Sequence, residues 1–222
     1  MDKQNENLSS INPKNFSAFF FLSFTVLQLL LYLTGMILLY PYFKLWSIFL
    51  LQILVFLIPV FILSAVKGIP FKHWLQLRSI SLKDFLQVSL ITLGLIFFTS
   101  VLMNYFIQVP QVKYQEYQDF LMNISLGAQL FLLVFVPALC EEILFRGFLF
   151  FHLERSLGPT LAASFVTLFF VLGHLNQLTL YFLPYYLMLG SLLIFIRLWK
   201  QNLLLCIWVH LLNNFIAVIF WN

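Results

Sequence analysis

Apolar runs of membrane-crossing length, broken by short polar stretches, repeat along almost the whole chain. The first runs from Phe16 to Tyr40 and is expected to close at Pro41. The second is Leu45 to Val66, with a kink expected at Pro59, and the third is Phe85 to Ile107. A hydrocarbon core about 30 Å thick takes about 20 apolar residues of helix, so each run predicts one crossing. The fourth, Ser125 to His152, is longer than one crossing needs. It predicts either one tilted helix kinked at Pro137 or two helices broken there. Gly158 and Pro159 end that region, and Thr160 to Leu175, Leu180 to Leu198 and Leu203 to Phe220 follow. The predicted fold is all-α: a polytopic transmembrane helical bundle of seven spans, or eight if the fourth run is broken.

Between the second and third runs, Lys67, Lys72, His73, Arg78 and Lys83 alternate with Phe71, Trp74, Leu75 and Leu77. That mixture predicts a segment lying on the membrane surface. Gln108 to Asn123, with Glu116 and Asp119, predicts a loop. The chain therefore divides into a polar tail (1–15), N-terminal transmembrane helices (16–124) and a C-terminal transmembrane core (125–222). The first apolar run exceeds the roughly 7–15 apolar residues of a signal peptide, so an uncleaved first span is expected.

Composition sharpens this picture. The chain has 222 residues, of which 62% are hydrophobic and 9% charged, with mean hydropathy +0.98. A soluble domain carries about 25% charged residues, so that class is excluded. The 28 Phe residues suit lipid-facing helix surfaces and add no chemistry. Basic residues are unevenly placed. With the N-terminus and the loops after spans two, four and six on one side, that side holds Lys3, Lys14, Lys67, Lys72, Arg78, Lys83, Arg155, Arg197 and Lys200. The other side holds Lys44 and Lys113. The positive-inside rule then predicts a cytoplasmic N-terminus. The net charge of +4 reads as a basic rim facing anionic lipid, with no nucleic-acid partner. Cys140 and Cys206 both fall in apolar runs without C-x-x-C spacing and read as buried reduced thiols.

Polar groups inside spans each need an explanation, because an ionised side chain in hydrocarbon costs several kcal/mol. Glu141, Glu142 and Arg146 lie in span four; His174, followed by Asn176, ends span five; His210, Asn213 and Asn214 lie in span seven. Arg146 is one turn after Glu142 and can neutralise it. Glu141 projects about 100° away and has no partner within its own helix. His210 and Asn214, four apart, share a helix face. Taken singly, Glu142–Arg146 reads as a structural ion pair, His174 as a packing histidine and Asn214 as an interhelical hydrogen bond. Taken together they match what peptide hydrolysis needs. A carboxylate and an imidazole hold and deprotonate a water, and a second imidazole and an amide donate to the oxyanion. His152, near a helix end, and His73, in the surface segment, are expected at the surface.

Glu141-Glu142-Ile-Leu-Phe-Arg146 fits E-E-x-x-x-R, Phe170-Val-Leu-Gly-His174 fits F-x-x-x-H, and His210-Leu-Leu-Asn-Asn214 fits H-x-x-x-N. In this order and at this depth the motifs resemble those of the CPBP family. That family groups CAAX-type prenyl-protein endopeptidases with bacteriocin-processing and self-immunity proteins (the Abi group). The similar region is about Gln129 to Phe220. The resemblance implies an intramembrane endopeptidase acting on a membrane-associated or lipidated, CAAX-like protein or peptide. It implies that Glu141 and His174 activate water, that His210 and Asn214 form the oxyanion hole, and that Glu142 and Arg146 support them. A metal-free site is preferred, because there is no H-E-x-x-H and an Asn suits a hydrogen-bond donor better than a ligand. The alternative cofactor is Zn2+, held by Glu141, His174 and His210 with water as the fourth ligand.

Two other functions compete: a non-proteolytic membrane protein for bacteriocin self-immunity or scaffolding, and a proton-coupled transporter. Intact Glu141, His174 and His210 favour the enzyme over the first. The lack of an internal repeat with paired broken helices speaks against the second. The expected setting is a bacterial plasma membrane, and the expected partners are the bilayer and a membrane-anchored substrate.

Overall fold

A computed structural model of the chain describes residues 18–43, 45–106, 115, 123–174 and 180–221. The regular elements among them are all helical. They are α1 (Ala18–Phe43), α2 (45–66), α3 (Phe71–Leu75), α4 (Leu82–Phe106), α5 (Leu126–Leu157), α6 (Pro159–Gly173), α7 (Leu183–Lys200) and α8 (Leu203–Trp221). Six are long and apolar enough to cross a membrane, and α6 is a shorter apolar helix of 15 residues. The all-α transmembrane bundle expected from the apolar runs is the fold observed. The polar tail, most of the expected 108–123 loop and Asn176 lie outside the described residues.

Several boundaries move, each for a local reason. Helix α1 continues past Pro41 to Phe43, because a proline in the last turn removes a single backbone bond. Helix α4 begins at Leu82, three residues early, on a cap formed by Ser81. The Asp84 amide donates to Ser81 Oγ at 3.1 Å, and that hydroxyl donates to Asp84 Oδ2 at 2.7 Å. The fourth run is one continuous helix and not two. A π segment, Leu130–Phe135, precedes Pro137 and absorbs the missing amide hydrogen bond. The same device, π segment Gln52–Leu57, precedes Pro59 in α2. Helix α5 ends at Gly158, whose φ of +79° only glycine adopts without strain.

Helix α5 is the axis of the bundle. It is the most deeply buried of the membrane-length helices, and α1 and α4 are the least, so the outer helices wrap it and face lipid. Extension to Leu157 corrects one expectation. His152 sits inside the protein, its ring stacked on Phe21 at 4.0 Å with Phe148 at 4.6 Å. His73 is half-buried. The surface segment is anchored by Trp74, fully buried against Phe61, Phe71 and Phe148.

The basic connections share one end of the bundle. Arg197 donates to the Trp74 carbonyl at 3.0 Å, Asn202 donates to the Arg78 carbonyl at 3.0 Å, and Lys200 pairs with Asp84 at 2.6 Å. Glu154 and Arg155, at the end of α5, lie within electrostatic reach of Arg197 and His73 respectively.

Candidate active site

Three helices bring the polar clusters together in the bundle interior. Glu142 is the hub. It is fully buried, and its Oε1 accepts from Arg146 at 2.9 Å and from His210 Nδ1 at 2.8 Å. The first bond is the one-turn pair expected within α5; the second joins α5 to α8. Arg146 also donates to the Gly190 carbonyl of α7 at 3.2 Å and lies 4.4 Å from the centre of the Phe170 ring. Gly190 is needed there. A Cβ at that position would stand 3.1 Å from Phe170 and 3.3 Å from Thr167, so a side chain would separate α7 from α6.

Glu141 turns to the other side, as its place on the helix requires. Its Oε2 stands 3.7 Å from His174 Nε2, and its Oε1 accepts from Gln52 Nε2 of α2 at 2.9 Å. The F-x-x-x-H spacing has a physical reason. Helix α6 ends at Gly173, leaving late carbonyls without an intrahelical amide. His174 Nδ1 lies 2.7 Å from one of them, Phe170 O. A carbonyl only accepts, so Nδ1 carries the hydrogen, and in the neutral ring Nε2 presents a lone pair. Two acceptors, a carboxylate oxygen and a ring nitrogen, therefore face each other across a gap too long for a direct hydrogen bond. Tyr186 stacks on the outer face of His174 at 4.4 Å.

Asn214 is tied to α5 through Leu133 O at 3.2 Å, which leaves its second amide hydrogen for another acceptor. Its oxygen accepts from Asn213 at 3.1 Å, and Asn213 in turn accepts from the Tyr185 hydroxyl at 2.8 Å. His210 and Asn214 thus share one face of α8, turned toward α5. The structure brings together all six residues singled out from the motifs. It adds Gln52, Tyr185 and Tyr186, which carried no motif; the only signal for Gln52 was an amide inside an apolar run.

The zinc alternative does not fit this arrangement. Among the described residues, no three His, Cys, Asp or Glu side chains are close enough to hold one metal ion. Glu141, His174 and His210 do not form such a group. Cys140 and Cys206 are buried free thiols.

This arrangement lies almost wholly in one stretch of sequence, 123–216, and that stretch matches a family model described as type II CAAX prenyl endopeptidase Rce1-like. The C-terminal region is Rce1-like. The match bears out the CAAX-protease resemblance carried by the motifs, and it spans all six motif residues. The Rce1-like region thus sits in an integral membrane bundle, and the family whose model it matches is one of endopeptidases. Gln52, in α2, lies outside it. No curated protein and no solved structure matches the chain.

Proposed function

We propose that this protein is an intramembrane endopeptidase that hydrolyses a peptide bond in a membrane-associated or lipidated, CAAX-like protein or peptide. The observation that carries this reading is the facing pair Glu141 Oε2 and His174 Nε2, 3.7 Å apart inside an apolar bundle. A water between two acceptors donates both protons and turns a lone pair outward. That lone pair attacks the scissile carbonyl carbon while one proton passes to the carboxylate–imidazole pair. The resulting oxyanion takes hydrogen bonds from Asn214 and His210. Because His210 Nδ1 donates to Glu142, a hydrogen bond from Nε2 to the oxyanion uses a second ring proton. Collapse of the intermediate breaks the C–N bond, and the held proton goes to the departing amine. The second water proton follows to the amine, so the products are a carboxylate and a protonated amine, with the site restored.

Burial strengthens each of these electrostatic contacts relative to water. The three basic connections gathered at one end support a cytoplasmic face there, with the N-terminus on the same side. The partners in this reading are the bilayer and the membrane-anchored substrate, and the setting is a bacterial plasma membrane. The test compares membrane peptides, by mass spectrometry, from cells carrying wild type or Glu141→Gln. The expected result is a discrete set of cleaved termini in wild type alone. Identical peptide sets would overturn the reading, and a wild-type phenotype from the variant would favour an immunity or scaffolding role.

A further inference from the structure

We infer that Gln52 of α2 is a positioning residue for Glu141, and that the N-terminal helices complete the site that the Rce1-like region begins. This inference rests on the proteolytic reading above. Gln52 is 1% exposed in the middle of an apolar helix, where an amide needs a reason to be. Its Nε2 donates to Glu141 Oε1 at 2.9 Å. A carboxylate accepts and does not donate, so the chemistry of Glu141 itself decides which end of the amide faces it. Binding Oε1 locks the plane of the carboxylate and directs Oε2, which has no hydrogen-bond donor among the described residues, at His174. Without Gln52 the carboxylate could rotate about its last bond and lose that alignment.

Gln52 makes a poor general fastener. Its own Oε1 is buried with no close hydrogen-bond partner among the described residues, with the Tyr32 hydroxyl the polar group beside the amide, so the close bond to Glu141 is what sets the side chain's orientation. The backbone is shaped to hold it. Gln52 opens the π segment Gln52–Leu57, and π turns leave carbonyls out of the α-helical pattern. Within it, Val55 O lies four residues before Pro59, which has no amide hydrogen to give it, and accepts instead from Gln28 Nε2 of α1 at 2.6 Å. Gln28 is also buried and so pins the turn that aims Gln52. Tyr32, one turn after Gln28 on α1, lies within electrostatic reach of Glu141 and close to the Gln52 side chain. The sequence of contacts runs from α1 through the π turn of α2 to the reactive carboxylate of α5.

The test is steady-state cleavage of a membrane-peptide substrate by purified full-length Gln52→Met and Gln52→His, with melting temperatures measured alongside. Methionine keeps the length and removes the donor; histidine keeps a ring N–H at similar reach. Gln52→Met should lower kcat by about 10–100-fold with KM nearly unchanged, the effect typical of losing a residue that orients a catalytic ligand. Gln52→His should recover a substantial part of that loss. Wild-type kcat in Gln52→Met would overturn the inference. So would equal losses in both variants that track a fall in melting temperature, since that outcome marks a packing role. If wild type itself cleaves nothing, the proteolytic reading fails; if wild type cleaves and Gln52→Met does so equally well, only the role of Gln52 fails.

Discussion

Arg146→Ala probes the centre of the bundle. Both Arg146 and Glu142 are fully buried, so the substitution strands a charge in hydrocarbon. Removing one partner of such a pair destabilises by roughly 3–5 kcal/mol. Loss of the bond to the Gly190 carbonyl and of the guanidinium over Phe170 pushes toward the upper end. His210, 2.8 Å from Glu142, pulls toward the lower end, because its ring N–H still donates to the carboxylate. At roughly 2–4 °C per kcal/mol for a chain of this size, the melting temperature should fall by roughly 6–20 °C. Thermal unfolding in detergent, read by tryptophan fluorescence, measures it. Glu142→Gln in the same background should recover part of the loss, because the stranded charge is then gone. Arg146→Lys should fall between, since one ammonium cannot reproduce the fork that serves Glu142 and Gly190 together. An Arg146→Ala protein with unchanged melting temperature would refute the reasoning, and so would a double variant whose loss is the sum of the two single ones.

The remaining expectations are quicker to state. Asn214→Ala should lower kcat by about 10²–10³ with little change in KM, and strong chelators should leave wild-type turnover intact; activity stripped by a chelator and restored by zinc would reverse both. His152→Phe should be neutral or stabilising and leave cleavage unchanged. The ring is already stacked on Phe21, and the variant removes a buried Nε2 that has no hydrogen-bond partner among the described residues; a large drop in melting temperature would reveal a polar role. Reporter fusions after Asn15 and after Asn222 should report opposite sides of the membrane, with the first cytoplasmic. The same side for both would mean that the short α6 does not cross.

The apolar runs, the motifs and the Glu142–Arg146 pair were legible in the sequence because each depends on spacing within one helix. Twenty apolar residues specify a crossing, and a four-residue interval places two side chains one above the other, whatever surrounds them. The same arithmetic separated Glu141 from Glu142 and sent them to different neighbours. Which neighbours they meet depends on how helices cross, and no local spacing encodes that. The tertiary structure decided that Glu141 faces His174 on one side and Gln52 on the other, and that Glu142 serves His210 as well as Arg146. It also moved His152 from an expected surface to the interior, because α5 runs on to Leu157 and α1 packs Phe21 against Phe148 and His152. Gln52 was invisible as a site residue for the same reason. An amide in an apolar run acquires its meaning only from the carboxylate that the fold sets beside it.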